Sequence, residues 1–216
     1  MKETGLMFKA PLVRAILSGQ KTQTRRVVKP QPAAGQGMVN AGYCGDRHLW
    51  LRDGPCDKTD PAYEWRCPMG QPGDRIYVRE TFVQGHKADP ATGDLRRWDK
   101  DGNELPMTTW YRATDQIGWS DDDGWETNVP WKPAIHMPKD LARIWLEVTG
   151  VRVERLQQIS RGDAMAEGCP HPNMASGPDP REWFAELWDS TGGDWAANPW
   201  VWVIDFKTIS TTGRPA

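Results

Sequence analysis

The first part of the chain carries basic side chains that could bind phosphate groups. Between Thr4 and Cys44 there is no Asp or Glu, whereas six basic residues occur there: Lys9, Arg14, Lys21, Arg25, Arg26 and Lys29. Such side chains bind phosphate oxygens, so the segment could form a basic wall for a phosphate-bearing ligand. The alternative is that these basic residues and the acidic cluster at 121–123 are simply two solvated surfaces. The net charge of -2 argues against non-specific coating of nucleic acid.

Several Cys and His residues are of the types that bind zinc: Cys44, His48, Cys56, Cys67, Cys169 and His171. No CxxC pair is present, so the usual zinc spacing is missing and we expect no metal and no cofactor. The irregular cysteine spacing indicates reduced thiols. No run reaches the length of a membrane span and no signal peptide opens the chain, so we expect a cytoplasmic protein without membrane contact.

Two acidic residues in the segment GDRIYVRE, at 73–80, could have a role in a site. Asp74 follows Gly73 and is interpreted as a turn residue. Glu80 could point into a pocket and contact a ligand, or it could pair with Arg79 or remain solvated. The 13 Trp residues could fill a core or present flat faces to bases or sugars, and their apolar neighbours favour the core.

Local signals predict the elements that position these side chains. Pro11 opens a helix that Gly19 ends, and residues 22–28 form a strand. Lys21 and Thr24 therefore lie at a helix-to-strand corner. A spacing of three places two side chains on opposite faces of an ideal strand, so these two converge only if the corner is bent.

Further strands are predicted at 5–8, 73–82, 108–113, 143–156 and 200–209. Ser160, with Asp163 three residues later, caps a short helix that ends at Gly168, and a second helix spans 180–188. Residues 30–73 and 84–133 lack a clean period and are interpreted as long loop insertions. The predicted fold is mixed α/β and mainly β, a small barrel with peripheral short helices in one domain spanning 1–216.

Several segments resemble ASCH domains, a branch of the PUA-like superfamily. They are SGQKTQTRR (18–26), GDRIYVRE (73–80), AMAEG (164–168) and NPWVWVIDF (198–206). A further segment, IHMPKDLARIWLEV (135–148), is similar to phage and prophage members. The order of these segments along the chain matches the family.

Some ASCH proteins are amidohydrolases that remove the acyl group from N4-acetylcytidine, using a Lys, a Thr three positions later and a Glu on the later helix. The resemblance implies Lys21, Thr24 and Glu167 as the catalytic residues, with Thr24 as nucleophile, Lys21 as base and Glu167 as proton shuttle. Arg25, Arg26 and Glu80 are the expected substrate contacts. We expect the Lys21 amine to reach both Thr24 and Glu167, and Ala at Lys21 or Glu167 to abolish activity with little change in melting temperature.

The partner expected from this resemblance is a modified nucleoside or RNA. Those hydrolases are about half as long and lack both insertions, so a different substrate stays open. Two alternatives also stay open: a non-catalytic RNA- or nucleotide-binding module, and a ribonuclease. An ordinary Lys21–Glu167 ion pair that pins the helix to the barrel is the structural alternative to catalysis.

Overall fold

The computed structural model describes residues 1–33, 35–44, 47–52, 64–88, 91, 95–120, 125–171 and 177–215. For residues 41–44, 47–49 and 52 it describes the backbone alone. Within these ranges the elements are, in chain order, β1 (Glu3–Met7), α1 (Ala10–Leu17), β2 (Gln23–Val27), β3 (Met38–Cys44), β4 (Arg47–Arg52), β5 (Glu64–Trp65), β6 (Arg75–Arg79), β7 (Phe82–Gly85), β8 (Thr108–Tyr111), β9 (Trp145–Arg155), α2 (Arg161–Ala166), α3 (Pro180–Ser190) and β10 (Trp200–Ser210). Short 3₁₀ turns lie at Ala134–His136, Lys139–Leu141 and Leu156–Gln158. The fold is mixed α/β and mainly strands, with short helices.

A five-stranded sheet in the order β1-β6-β9-β10-β2 forms the centre of the fold. β1 and β6 are parallel, and the other neighbours are antiparallel. One face of the sheet carries buried residues of the main core, among them Ile76, Leu146 and Ile204. On the opposite face Val201 and Val203 pack in a second cluster with residues of α2 and α3. The two faces therefore have separate apolar contacts.

Helix α1 forms where the sequence predicted it. Pro11 lies in the first turn, where its missing N–H costs no hydrogen bond. Val13 and Ile16 are buried, and Gly19 adopts a positive φ of 76° after the last turn. A tight turn at Gly19 therefore connects the end of α1 to Lys21.

The predicted strand over 143–156 is confirmed as one long strand, β9, with an irregularity near its centre. Asp205 pairs with Gly150 and Phe206 pairs with Val148, so Thr149 is an extra residue on β9. An extra residue of this kind increases the local bend and twist of a strand. A Cβ on Gly150 would lie 3.1 Å from Asp205 Oδ2, so glycine leaves space for that carboxylate beside the strand.

The interpretation of residues 30–73 as a loop without regular structure is wrong. Strands β3, β4 and β5 form a three-stranded antiparallel sheet in this segment. Trp50 and Trp65 are buried in the main core, and Trp50 packs edge-on against Trp202 with ring centroids 6.1 Å apart. The Pro- and Gly-rich composition of the segment hid these strands, because their apolar residues occur in short consecutive groups and do not alternate regularly with polar ones.

The sequence predicted a small barrel that is closed or nearly closed. The closed form is not observed, since no ladder joins the outer strands β1 and β2 within the described part of the chain. A side chain spans this gap instead. Arg26 Nη2 donates to the Met7 carbonyl oxygen over 3.2 Å, linking the two edges. The five-stranded sheet, with the β3–β5 sheet packed on its core, is therefore not closed by a strand ladder within the described residues.

Strand β8 lies in residues 84–133 and pairs antiparallel with β7, which confirms the strand predicted at 108–113. The acidic cluster at 121–123 lies outside the described residues. No helix in the described ranges is both long enough and apolar enough to cross a membrane.

Candidate functional site around Lys21 and Glu167

The Lys21 ammonium group is buried and has an acceptor for each of its three protons. Its side chain is 1% exposed. Nζ donates to the Gln23 carbonyl oxygen over 2.7 Å, to the Glu167 carbonyl oxygen over 2.8 Å and to Glu167 Oε2 over 2.6 Å. Lys21 therefore joins the start of β2 to the end of α2.

Glu167 is held in place by local signals at both ends of α2. At the start, the Ser160 hydroxyl accepts from the Asp163 backbone N–H, and the Asp163 carboxylate accepts from the Ser160 backbone N–H. Glu167 is the C-terminal cap, and Gly168 follows with a φ of 99°. A Cβ on Gly168 would lie 3.3 Å from the Lys21 Cβ, so glycine allows the close approach of the two chains.

Burial lowers the pKa of Lys21 below its ordinary value, because removing an ammonium ion from water disfavours its charged form. The Glu167 carboxylate acts in the opposite direction, and the Arg26 and Arg25 charges lower the pKa further. The net lowering is the direction that a lysine base requires.

Thr24 lies on the other face of β2 and does not bond to Lys21. Side chains alternate along β2, so Gln23 and Arg25 point to one face and Thr24 and Arg26 to the other. Thr24 is buried, and its Oγ1 accepts from Arg26 Nη1 over 2.8 Å. The expected convergence of all three residues on one hydrogen-bonded centre is therefore found only for Lys21 and Glu167.

The Phe8 ring lies between the two groups of side chains. Lys21 Nζ is 5.7 Å from the ring centroid, and the Arg26 guanidinium carbon is 5.4 Å from it. Phe8 directly follows β1, and its backbone N–H bonds to the Arg79 carbonyl at the end of β6. The ends of these two parallel strands therefore lie beside the candidate site.

Arg25, which was expected to contact substrate, has buried contacts within the protein. Its guanidinium is 3.2 Å from Glu167 Oε1, 3.2 Å from Glu154 Oε2 and 3.6 Å from Asp163 Oδ2. Its side chain has no exposed area. Arg25 thus holds Glu167 from the side opposite Lys21.

An extended ionic network, which sequence reasoning missed, continues from Arg25 across β9 and β10. Arg152 contacts Glu154 at 2.5 Å and both Asp163 and Asp205 at 2.8 Å. Gln23 donates to the same two aspartates. The alternation of side chains along β9 places Arg152 and Glu154 on one face. Nothing in the sequence indicates that residues of β2 and α2 contact them on that face.

The pKa of the Asp163 carboxyl group lies well below its ordinary value. Partial burial alone would raise its pKa, but hydrogen bonds from Ser160 and Gln23 and the charges of Arg25 and Arg152 lower it to about 2. The anionic form of Asp163 is therefore stabilised in the folded state.

Glu80 forms a second buried ion pair at the end of β6, with Arg143 and not with Arg79. The pair is bidentate, with distances of 2.9 and 3.0 Å. Arg143 stacks on the Tyr111 ring at 4.1 Å. Burial raises the pKa of Glu80, although Arg143 acts in the opposite direction. Glu80 is thus paired inside the protein, which leaves its expected ligand contact untested.

The candidate zinc ligands are only partly described. Cys67 and Cys169 are free thiols, and burial raises the pKa of Cys67 to about 11. The side chains of Cys44 and His48, and the whole of Cys56, lie outside the described residues. Among the residues that are described, no three potential ligands are grouped as a metal site.

No protein-family model matches this chain, and no curated protein matches it. Two solved structures are similar at low identity. The ASCH domain of Lactobacillus crispatus JV V101 is 12% identical, over 97% of this chain and 80% of that one, with a TM-score of 0.36. A DUF984 protein of Enterococcus faecalis V583 is 10% identical, over 100% of this chain and 86% of that one, with a TM-score of 0.35. At these scores neither similarity supports an argument about function.

Proposed function

We propose that the chain is an ASCH-type domain with a PUA-like fold, of the phage type, that hydrolyses the acyl amide of an N4-acylated cytidine or a similar modified nucleoside. The observation that carries this proposal is the buried Lys21–Glu167 contact of 2.6 Å, at the two positions that the family resemblance singles out. A buried lysine with a lowered pKa beside a carboxylate is suited to proton transfer, because the neutral amine can act as a base.

The proposed reaction has two stages. Lys21 takes the Thr24 hydroxyl proton while Thr24 Oγ1 forms a bond to the acyl carbon. The carbon–N4 bond then breaks, and the proton passes from Lys21, or through Glu167, to the leaving nitrogen. Water next attacks the acyl carbon of the ester on Thr24 and gives a proton to Lys21. The bond between that carbon and Thr24 Oγ1 then breaks, Lys21 returns the proton to Oγ1, and the carboxylic acid leaves. The net change is addition of one water across the amide bond.

Arg26 has two roles in this proposal. Its guanidinium donates to Thr24 Oγ1 over 2.8 Å, so the oxyanion that the substrate's carbonyl oxygen becomes on attack would lie next to a cationic donor. Thr24 is 1% exposed, so an acyl group reaches it only if a neighbour moves. Because Thr24 points away from Lys21, the reaction also requires Arg26 to release the hydroxyl and the start of β2 to bend when substrate enters, until Thr24 Oγ1 reaches Lys21 Nζ.

A non-catalytic nucleoside- or RNA-binding module is the second candidate, and one observation favours it. All three Lys21 protons already have acceptors, which is the arrangement of a stable ammonium ion. In this case Lys21 and Glu167 hold α2 against the sheet, and Arg26 with the neighbouring basic residues contacts phosphate.

The two candidates are separated by incubating the purified chain with N4-acetylcytidine and measuring both acetate and cytidine. The hydrolase predicts equal amounts of the two products. Thr24→Ser should keep measurable activity and Thr24→Val should keep none, since only the first retains a hydroxyl. Lys21→Met should abolish release, while Lys9→Met, at an exposed lysine that bonds the Ser190 carbonyl, should not change it. Tight binding by the wild type without turnover would refute hydrolysis and favour the binding module.

A further inference from the structure

Residues of the 84–133 segment surround a cavity of about 1030 Å³, and its described lining residues all differ from those of the Lys21 site. Strands β7 and β8 and the described chain between and after them form the wall. A volume of this size accommodates an organic ligand of several hundred cubic ångströms. The side chains of the wall indicate which class of ligand fits.

Three tryptophan rings line the cavity. Trp110 and Trp119 lie nearly perpendicular, at 86°, with centroids 6.2 Å apart. A Cβ on Gly85 would lie 2.7 Å from Trp119 Cη2 and 3.5 Å from Trp110 Cζ3, so the edges of both rings meet at this glycine of β7. The third ring, Trp98, is 62% exposed, which leaves its surface available to a ligand. The wall therefore offers flat aromatic surfaces in more than one orientation.

Exposed polar side chains of both signs line the same cavity. Lys87 and Arg97 are hydrogen-bond donors, and Glu104 and Glu126 are acceptors. An isolated bridge between Trp98 and Glu104 places this glutamate beside the exposed ring. The two positive and two negative charges cancel, so these four side chains give the wall no net charge that would select an anion or a cation.

We propose that this cavity binds the ring of a neutral sugar. The axial C–H bonds of a pyranose form an apolar face with partial positive charge on its hydrogens, and this face packs on the negative face of an indole ring. The hydroxyl groups around the ring both donate and accept, so one sugar uses the basic and the acidic side chains together. A charged ligand would instead be repelled by half of them. The proposal does not depend on hydrolysis at Lys21.

Titration calorimetry with cellobiose tests this, with sorbitol as the control ligand. The glucose rings of cellobiose present such C–H faces, whereas sorbitol carries hydroxyl groups on an open chain. Cellobiose should bind at millimolar concentrations with an affinity that salt does not change, because it is uncharged, and sorbitol should not bind. Trp98→Ala should weaken cellobiose binding about tenfold, and the exposure of Trp98 makes loss of folding an unsuitable explanation. Trp125→Ala is the matched control and should leave the affinity unchanged, because Trp125 is 74% exposed and does not line the cavity.

Two variants of Glu104, whose side chain is 64% exposed, test whether the ligand needs its charge. Glu104→Gln keeps a hydrogen-bonding side chain and should retain cellobiose binding, whereas Glu104→Leu should weaken it about fivefold. Equal losses in the two variants would show that the site requires a charged group and would overturn the proposal. So would absence of cellobiose binding, equal binding of sorbitol, or an affinity that Trp98→Ala leaves unchanged.

Discussion

Lys21 Nζ lies 2.6 Å from Glu167 Oε2, while the other oxygen of the same carboxylate lies 3.2 Å from Arg25 Nη1. One buried anion therefore serves two buried cations. Loss of Glu167 leaves both cations without this partner, whereas loss of Lys21 leaves Glu167 paired with Arg25. The two residues of the pair are consequently not equivalent for stability.

We predict that Glu167→Gln lowers the free energy of unfolding by about 3–5 kcal/mol and that Lys21→Met lowers it by less. This prediction differs from the sequence-based expectation that Ala at Lys21 or Glu167 would hardly change the melting temperature. Urea denaturation measures both values. Lys207→Met is the control, because it breaks an exposed pair with Glu147 and should cost at most about 1 kcal/mol. If Lys21→Met and Glu167→Gln lowered the free energy of unfolding equally, the conclusion that Glu167 is the partner of both Lys21 and Arg25 would be contradicted.

Gly168 is predicted to be sensitive to a single added methyl group. One strained backbone residue typically costs about 1–3 kcal/mol. Gly168→Ala should lower the free energy of unfolding by more than this, because the new Cβ would also lie 3.0 Å from the Ala15 Cβ. Gly19→Ala is a matched control, since Gly19 also follows a helix with positive φ but has open space around it. Thermal denaturation compares the two variants. Equal destabilisation would show that backbone strain alone, and not contact with Ala15 and Lys21, determines the cost.

Asp163 should make stability depend on pH in the acid range. Its folded pKa of about 2 lies below the ordinary value of 3.8, so the unfolded state binds the proton first as the pH falls. The stabilisation is fully present above pH 3.8 and is lost towards pH 2. Asp163→Asn should therefore be less stable than the wild type at pH 6, and the difference should narrow at pH 3. Urea denaturation at both values provides the test, and a difference that stays constant would refute this role of Asp163.

Trp50 should be required for stability although it lies in the 30–73 insertion. Trp50→Ala is expected to lower the free energy of unfolding by about 3–5 kcal/mol, because it removes a buried ring that packs against Trp202. Val39→Ala is the control in the neighbouring strand, since Val39 is 42% exposed. Denaturant unfolding followed by circular dichroism measures both. A loss below about 1 kcal/mol for Trp50→Ala would mean that the β3–β5 sheet is dispensable.

Local chemistry in the sequence determined most of the elements around the site. Pro11 begins α1 and Gly19 ends it, and Ser160 with Asp163 begins α2. The alternation of apolar and polar residues indicates β6 and β9. Each of these signals acts within a few residues and can be interpreted without knowing the fold. The Lys21–Glu167 pair was predicted only through the family resemblance, because its members are 146 positions apart.

Tertiary structure alone decided which side chains meet. Gln23 bonds to Asp205 across 182 positions, and Glu80 bonds to Arg143 across 63. Such contacts depend on the pairing of β2 with β10 and of β6 with β9, and strand register is set by the whole core and not by any local pattern. Alternation along β2 turned Thr24 away from Lys21, and the packing of α2 on the sheet then paired Glu167 with Lys21 and Arg25.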